Sequence, residues 1–180
     1  MMKNLLILAL ISYTVCHANL SAEELEMPAH NWEIMKKVNS DPNSTWRAGV
    51  NNKFKNATMK DVVQLLGSKY ISQEEFDSVM PMMVHDINGD LPDNFDLRDK
   101  YPQCTTIKRI QDQSSCGSCW ANSAAGVMSD RYCIEKGTVK EISVADIMSC
   151  CHLCGNGCDG GFPFQAFLYW GYNGVPTGAG

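Results

Sequence analysis

Cysteine placement constrains this chain more than any other feature. Nine cysteines occur in 180 residues. Eight of them fall between Cys104 and Cys158, and none lies between Asn19 and Gln103. The chain therefore has two parts of different character: a polar, cysteine-free front and a back that can be densely cross-linked. What the cysteines do depends on the redox compartment. Exported proteins oxidise them to disulfides, whereas intracellular ones keep them for metal binding or redox work.

The N-terminus points to export. Lys3 precedes an apolar run from Leu5 to Leu10 that continues through Ile11 to Val15, followed by Cys16-His17-Ala18 with small residues at both ends. A basic start, a short apolar stretch and a small-residue exit predict a signal peptide over 1–18, cut after Ala18. The run falls short of the ~18 residues a membrane-spanning helix needs, so no membrane span is expected. Net charge is −5, and no basic patch is visible to neutralise phosphates, which argues against a nucleic-acid partner. In an exported chain, Asn43-Ser44-Thr45 and Asn56-Ala57-Thr58 are glycosylation sequons at Asn43 and Asn56.

The front part reads as short helices. Ser21-Ala22-Glu23-Glu24 fits a capping box, with Trp32, Met35 and Val38 following at helical spacing until Asp41-Pro42-Asn43. A second helix is expected from Met59 to Leu66, stopped by Gly67, and a third over Gln73 to Val79. His85 to Pro92 has the composition of an exposed, cleavable linker. In the back part, Ser118 can start a helix from Cys119 to about Glu135, with Trp120, Ala124, Val127 and Arg131 on one face and Gly137 closing it. Ser143 and Asp146 mark another helix ending near Cys150. Pro163 opens a third over Phe164 to Trp170, stopped by Gly171. No strand-rich stretch stands out.

The chemistry concentrates in Gln113-Ser114-Ser115-Cys116-Gly117-Ser118-Cys119-Trp120. Cys116-x-x-Cys119 fits a thioredoxin-like redox pair, but no βαβ pattern surrounds it and the Trp follows the second cysteine instead of preceding the first. It also fits one structural cysteine beside one free nucleophile. Cys119 would then stand in the first turn of a helix, where unpaired N–H groups and the dipole favour a thiolate. Gln113 lies just upstream, with an amide able to donate to a developing oxyanion.

These residues resemble the active-site signature of papain-like cysteine proteases. Leu91-Pro92 with Phe95-Asp96 and Arg98 resembles the mature N-terminus of that family. Tyr101-Pro102-Gln103-Cys104, Ser129-Asp130-Arg131 with Cys133, and Cys150-Cys151 followed by Gly157-Cys158-Asp159-Gly160-Gly161 resemble the cathepsin B type. Asn43, Thr45-Trp46 and Ala48-Gly49 are similar to its propeptide. Departures are Asn122-Ser123 where the family has Phe and then Gly or Ser, Asp159 in place of a common Asn, and one residue fewer between Cys151 and Cys154. A polar Asn122 in a central helix needs partners.

The resemblance implies an α+β, papain-like fold, of which only the mainly helical N-terminal lobe is present, preceded by a helical propeptide. It implies a propeptide over 19–90 and an incomplete peptidase domain over 91–180, with lysosome or extracellular space as destination. It casts Cys119 as nucleophile and Gln113 as oxyanion donor, with Gly117, Ser118, Gly160, Gly161, Phe162 and Pro163 along the substrate. Trp120 has an even claim to packing and function. Peptide or protein substrates and the chain's own propeptide would occupy the cleft. The family pairs Cys104 with Cys133, Cys116 with Cys158, and Cys151 with Cys154, leaving Cys150 over. The rival is zinc at Cys150, Cys151, His152, Cys154 and Cys158. Export and the resemblance argue against it, and no cofactor is expected.

The implied function is proteolysis by a cysteine-type endopeptidase made as a zymogen, through a thioester acyl-enzyme. A helix N-terminus favours a thiolate by at most ~2 kcal/mol, and it delivers no proton to the leaving amine, a task for a His. None of His17, His30, His85 and His152 stands in the family context of that His. The chain alone is therefore expected to be inactive, with a face toward the missing lobe that is apolar and exposed. The alternatives are a non-catalytic decoy inhibitor and a disulfide-rich binding module.

Overall fold

The computed structural model describes residues 20–79, 84, 86 and 89–178. The signal-peptide reading of 1–18 and His85 of the linker lie outside them.

The front segment is built from short helices. Ser21 caps α1 (Ala22–Leu25) through a complete capping box with Glu24. The expected single helix is broken there. Met27 precedes Pro28, which disfavours helical geometry at the residue before it, and Pro28 bridges to Thr58 instead. A new helix, α2 (Trp32–Ser40), starts under an Asn31 cap. Ala29 N donates to Ala57 O at 2.9 Å and Met59 N to Met27 O at 2.8 Å, tying the first residues to α3 (Met59–Val63). That helix stops three residues before the expected Leu66, and residues 64–69 leave it for the lobe. After them, α4 (Gln73–Val79) has the predicted bounds. Gly67 is the sole buried residue among 20–79.

The lobe is organised on α6 (Cys119–Lys136), which ends at Gly137 with φ +68°, a left-handed cap that glycine adopts without strain. A short α5 (Leu97–Lys100) precedes it. Trp120, Ala121, Ala124, Ala125 and Met128 pack against α7 (Val144–Cys150) and α8 (Pro163–Asn173), with Ile142, Ile147, Cys151, Cys154 and Ala166 completing the core. The alanines let the helices approach closely. Met128, fully buried, represents ~2–5 kcal/mol on truncation to Ala. The buried face differs from the expected one: Val127 is 43 % exposed and Arg131 is exposed, because α7 and α8 meet the helix on its 121/125/128 side. Helix α8 also runs through Gly171 and ends at Gly174, φ +75°.

Three disulfides lock this core: Cys104–Cys133, Cys116–Cys158 and Cys151–Cys154. Closing separations of 29 and 42 residues stabilises by about 4 kcal/mol each in the chain-entropy account. The fold is mostly helical. Among the described residues the only β-pairing is four isolated bridges.

Beside α6 runs an open groove of about 810 Å³, bordered by Ile110, Asp112, Gln113, Val127, Asp130 and Met148 among others. Ile110 is 95 % exposed. The groove mixes such apolar side chains with charged ones.

Candidate active site

Cys119 opens α6, so its thiol stands among backbone N–H groups that no helical carbonyl satisfies, at the positive end of the dipole. It is a free, half-buried thiol. Cys116, three residues before, is bonded to Cys158, which removes it from a redox pairing with Cys119. The same bond ties the loop carrying Gly160 and Gly161 to the start of α6. Ser118 makes no side-chain cap. Asn122 Nδ2 instead donates to both Ser118 O and Ser118 Oγ at 3.0 Å, so the polar residue at the helix centre has its partners.

Residues 64–69 of the front segment cross this site. Gly67 N donates to Cys119 Sγ at 3.2 Å, and Ser68 Oγ lies 3.6 Å from the same sulfur. Gly161 N donates to Gly67 O at 2.8 Å and Lys69 N to Gly161 O at 2.8 Å, a parallel bridge centred on Ser68. Gln113 Nε2 donates to Leu65 O at 2.9 Å and to Cys116 O at 2.7 Å. The Gln113 amide is thus aimed at a carbonyl of a peptide crossing the thiol.

This approach excludes side chains. A Cβ on Gly67 would lie 1.7 Å from Gly117 O, and one on Gly160, at φ +95°, 2.5 Å from Gly67 O. A Cβ on Gly161 would lie 2.6 Å from the Trp120 ring. Trp120 is fully buried, and its Nε1 donates to Gly157 O at 3.1 Å. It is the floor under Gly161, a packing role with a positioning consequence. Phe162 follows, 9 % exposed, and Pro163 is the first residue of α8.

Outside the crossing, Lys53 Nζ meets Asp112 Oδ1 at 2.7 Å, joining front segment and lobe. This contact, with the Ser114 N–H, holds the Asp112 carboxyl below its ordinary value. Cys150 is free and exposed. The Asp146 carboxylate, hydrogen-bonding the thiol, together with some burial, pushes Cys150 up. Three cysteines of the zinc reading, Cys151, Cys154 and Cys158, are spent in disulfides. His152 is exposed. His30 lies in the front segment, where Nε2 accepts from Asn51 N at 3.0 Å and the ring stacks on Trp32. Asn43 and Asn56 are exposed.

The structure therefore gathers Cys119, Gln113, Gly117, Gly160 and Gly161 around one crossing peptide, while Ser118 turns its hydroxyl to Asn122. Sequence reasoning missed Leu65, Gly67, Ser68 and Lys53. Gly67 read as a helix stop, but it lacks the positive φ of such a cap. Its missing side chain serves the close crossing instead.

Comparison with known proteins places this geometry in a family. Residues 91–180 match the model of the papain family cysteine protease, and residues 31–70 that of the peptidase family C1 propeptide. A cathepsin B-like cysteine proteinase of Schistosoma japonicum is 36 % identical over 96 % of this chain and 50 % of its own length. Cathepsin B-like protease 1 of Arabidopsis thaliana is 37 % identical over 88 % of this chain and 47 % of its own. Among solved structures, procathepsin B S9 from Trypanosoma congolense matches with a TM-score of 0.70 at 36 % identity, covering 82 % of this chain and 51 % of that one. The chain spans about half the length of the curated relatives it matches.

Proposed function

This chain belongs to the papain family of cysteine proteases, and on that premise we propose that it is the pro-segment and nucleophile-bearing lobe of a cathepsin B-like endopeptidase made as a zymogen. The carrying observation is the crossing at Cys119, where a backbone N–H of residue 67 faces the sulfur and the Gln113 amide holds a carbonyl of the same segment. In catalysis a substrate would take this place. Cys119 would attack the scissile carbonyl, the Gln113 amide would donate to the oxyanion, and Gly161 would pair with the substrate backbone. The resulting thioester would be hydrolysed by water. The glycines at 117, 160 and 161 admit the substrate main chain, and Phe162 with Pro163 would wall a neighbouring pocket.

In the pro-form the segment is a plug that is not itself cut: its peptide presents an N–H, not a carbonyl carbon, to the sulfur. Release would follow cleavage near Asp90–Leu91, where Leu91 is 76 % exposed. The base that forms the thiolate pair and protonates the leaving amine would come from residues beyond this lobe, seated along the open groove. The 180-residue chain is accordingly expected to hydrolyse no peptide by itself. The signal peptide, the glycosylation sequons at Asn43 and Asn56, and a lysosomal or extracellular destination belong to the same reading.

Labelling with a thiol-directed epoxide probe tests it. The full-length protein is expected to take the label at Cys119 only after the pro-segment is removed, and Cys119→Ala to abolish both label and peptide hydrolysis. Hydrolysis surviving Cys119→Ala would overturn the assignment.

A further inference from the structure

One peptide unit at the start of α6 is held more firmly than helix formation requires. Ser118 O accepts from Ala121 N and Asn122 N, both at 3.0 Å, and from Asn122 Nδ2, again at 3.0 Å. Asn122 Nδ2 also donates to Ser118 Oγ at 3.0 Å. A carbonyl oxygen can only accept, so the end of the Asn122 side chain that meets Ser118 O is its NH2 group. Ser118 is buried, 3 % exposed, and caps nothing with its own hydroxyl. Asn122 thus directs its donors onto the unit joining Ser118 to Cys119. That unit is planar and trans, so its C=O and N–H point in opposite directions. With the carbonyl held along the helix, the Cys119 N–H points out of the N-terminus of α6. Among the described residues no protein acceptor meets it there. The Phe that the family carries at this position has no N–H to give, so the arrangement belongs to this chain.

We infer that Asn122 is a positioning residue for the reaction: it fixes and polarises the Ser118–Cys119 peptide, so that the Cys119 N–H serves beside the Gln113 amide as an oxyanion donor. The inference rests on the peptidase reading of the same site and adds a residue to it. In acylation the Cys119 thiolate adds to the scissile carbonyl carbon. The S–C bond forms and the C=O π pair moves onto oxygen. That oxyanion accepts from Gln113 Nε2 and from the Cys119 N–H. As the pair returns, the C–N bond breaks and the amine leaves with a proton from the base. A hydrogen bond at the carbonyl end of a peptide draws electron density toward its oxygen and makes the N–H at the other end a stronger donor. Such strengthening is about 10–30 % per bond, and one oxyanion donor is worth about 10²–10³ in kcat. Asn122 therefore contributes about two- to eightfold in kcat. The uncharged ground-state carbonyl responds far less, so substrate binding changes little.

Two rates measured side by side on the full-length protein, freed of its pro-segment, test this. Asn122→Leu keeps the outline of the side chain and deletes its donor. On a peptide amide it is expected to lower kcat about two- to eightfold at unchanged KM. The second rate is alkylation of Cys119 by iodoacetamide, a displacement of iodide that forms no oxyanion. Its value and its pH dependence are expected to match wild type. Asn122→Ala cannot overpack the helix, so it guards against a Leu variant that fails to fold, and it is expected to show the same split. A wild-type kcat in a variant that alkylates normally overturns the inference. So does a loss shared equally by hydrolysis and alkylation, which assigns Asn122 to support of the fold. In both cases wild-type hydrolysis leaves the peptidase reading standing. A wild-type protein that takes the alkylating label yet hydrolyses no peptide overturns the peptidase reading, and the inference with it.

Discussion

The pro-segment and the lobe are held together by opposite means. Residues 104–166 hold fully buried Trp120, Met128 and Ile147 and three disulfides. Residues 20–79 bury Gly67 alone, and they do so against the lobe, not against each other. Their helices are short, and short helices draw their stability from what they pack on. The lobe carries its own core, whereas the pro-segment borrows one. On the zymogen reading, the plug is thus made of elements with little reason to persist once separated from the lobe.

The contrast can be broken in steps of decreasing size. Cys116→Ser with Cys158→Ser removes the bond that closes 42 residues. It is expected to lower lobe stability in urea unfolding by about 4 kcal/mol. A loss comparable to that from a pro-segment substitution would erase the distinction. Gly67→Ala acts in the other direction. Its Cβ would lie 1.7 Å from Gly117 O, an overpacking of about 1–3 kcal/mol. The pro-segment should lift and Cys119 alkylate about tenfold faster or more, with the unfolding midpoint of the lobe unchanged. A shifted midpoint would mean that the two parts fold as one.

The smallest effect concerns Lys53–Asp112. The docked carboxyl is depressed by Lys53 first, so the pair favours docking above the ordinary value of 3.8 and loses that contribution as pH falls through the docked value. Asp112→Asn should therefore speed Cys119 alkylation at neutral pH by about twofold, as befits an exposed pair. Variant and wild type should converge well below pH 3.8. A difference that persists in acid would assign the effect to the Ser114 turn instead.

Much of this was readable from local chemistry. The Ser21 box, the Ser143 cap, Pro163 at a helix start and the bounds of α4 are decisions made within a few residues. The readings that failed depended on distant partners. Gln64 to Leu66 are helix-compatible, yet after α3 they run only as tight turns, Leu65 N to Val62 O and Leu66 N to Val63 O, because the chain must open at Gly67 to cross the cleft. Val127 and Trp120 share a helical stripe, but α7 and α8 approach from the 121/125 side and leave Val127 at the groove. Gly171 carries a stop signal that packing against α6 overrides. At the site, Cys119 and Gln113 stood out because their chemistry is local. Gly67 and Ser68 did not, because nothing in their own neighbourhood says that a thiol lies beside them.

The crossing at Gly67 also sets terms for medicinal chemistry. The sulfur is met by one main-chain N–H, and the channel above it admits no side chain. A peptidomimetic copied from this segment gains nothing from decoration at that position. Replacing the glycine by N-methylglycine would delete the donor and also drive a methyl group into the sulfur that now faces it at 3.2 Å, so this main-chain N–H has to be kept. Affinity would have to be built at the flanks, where the scaffold can grow.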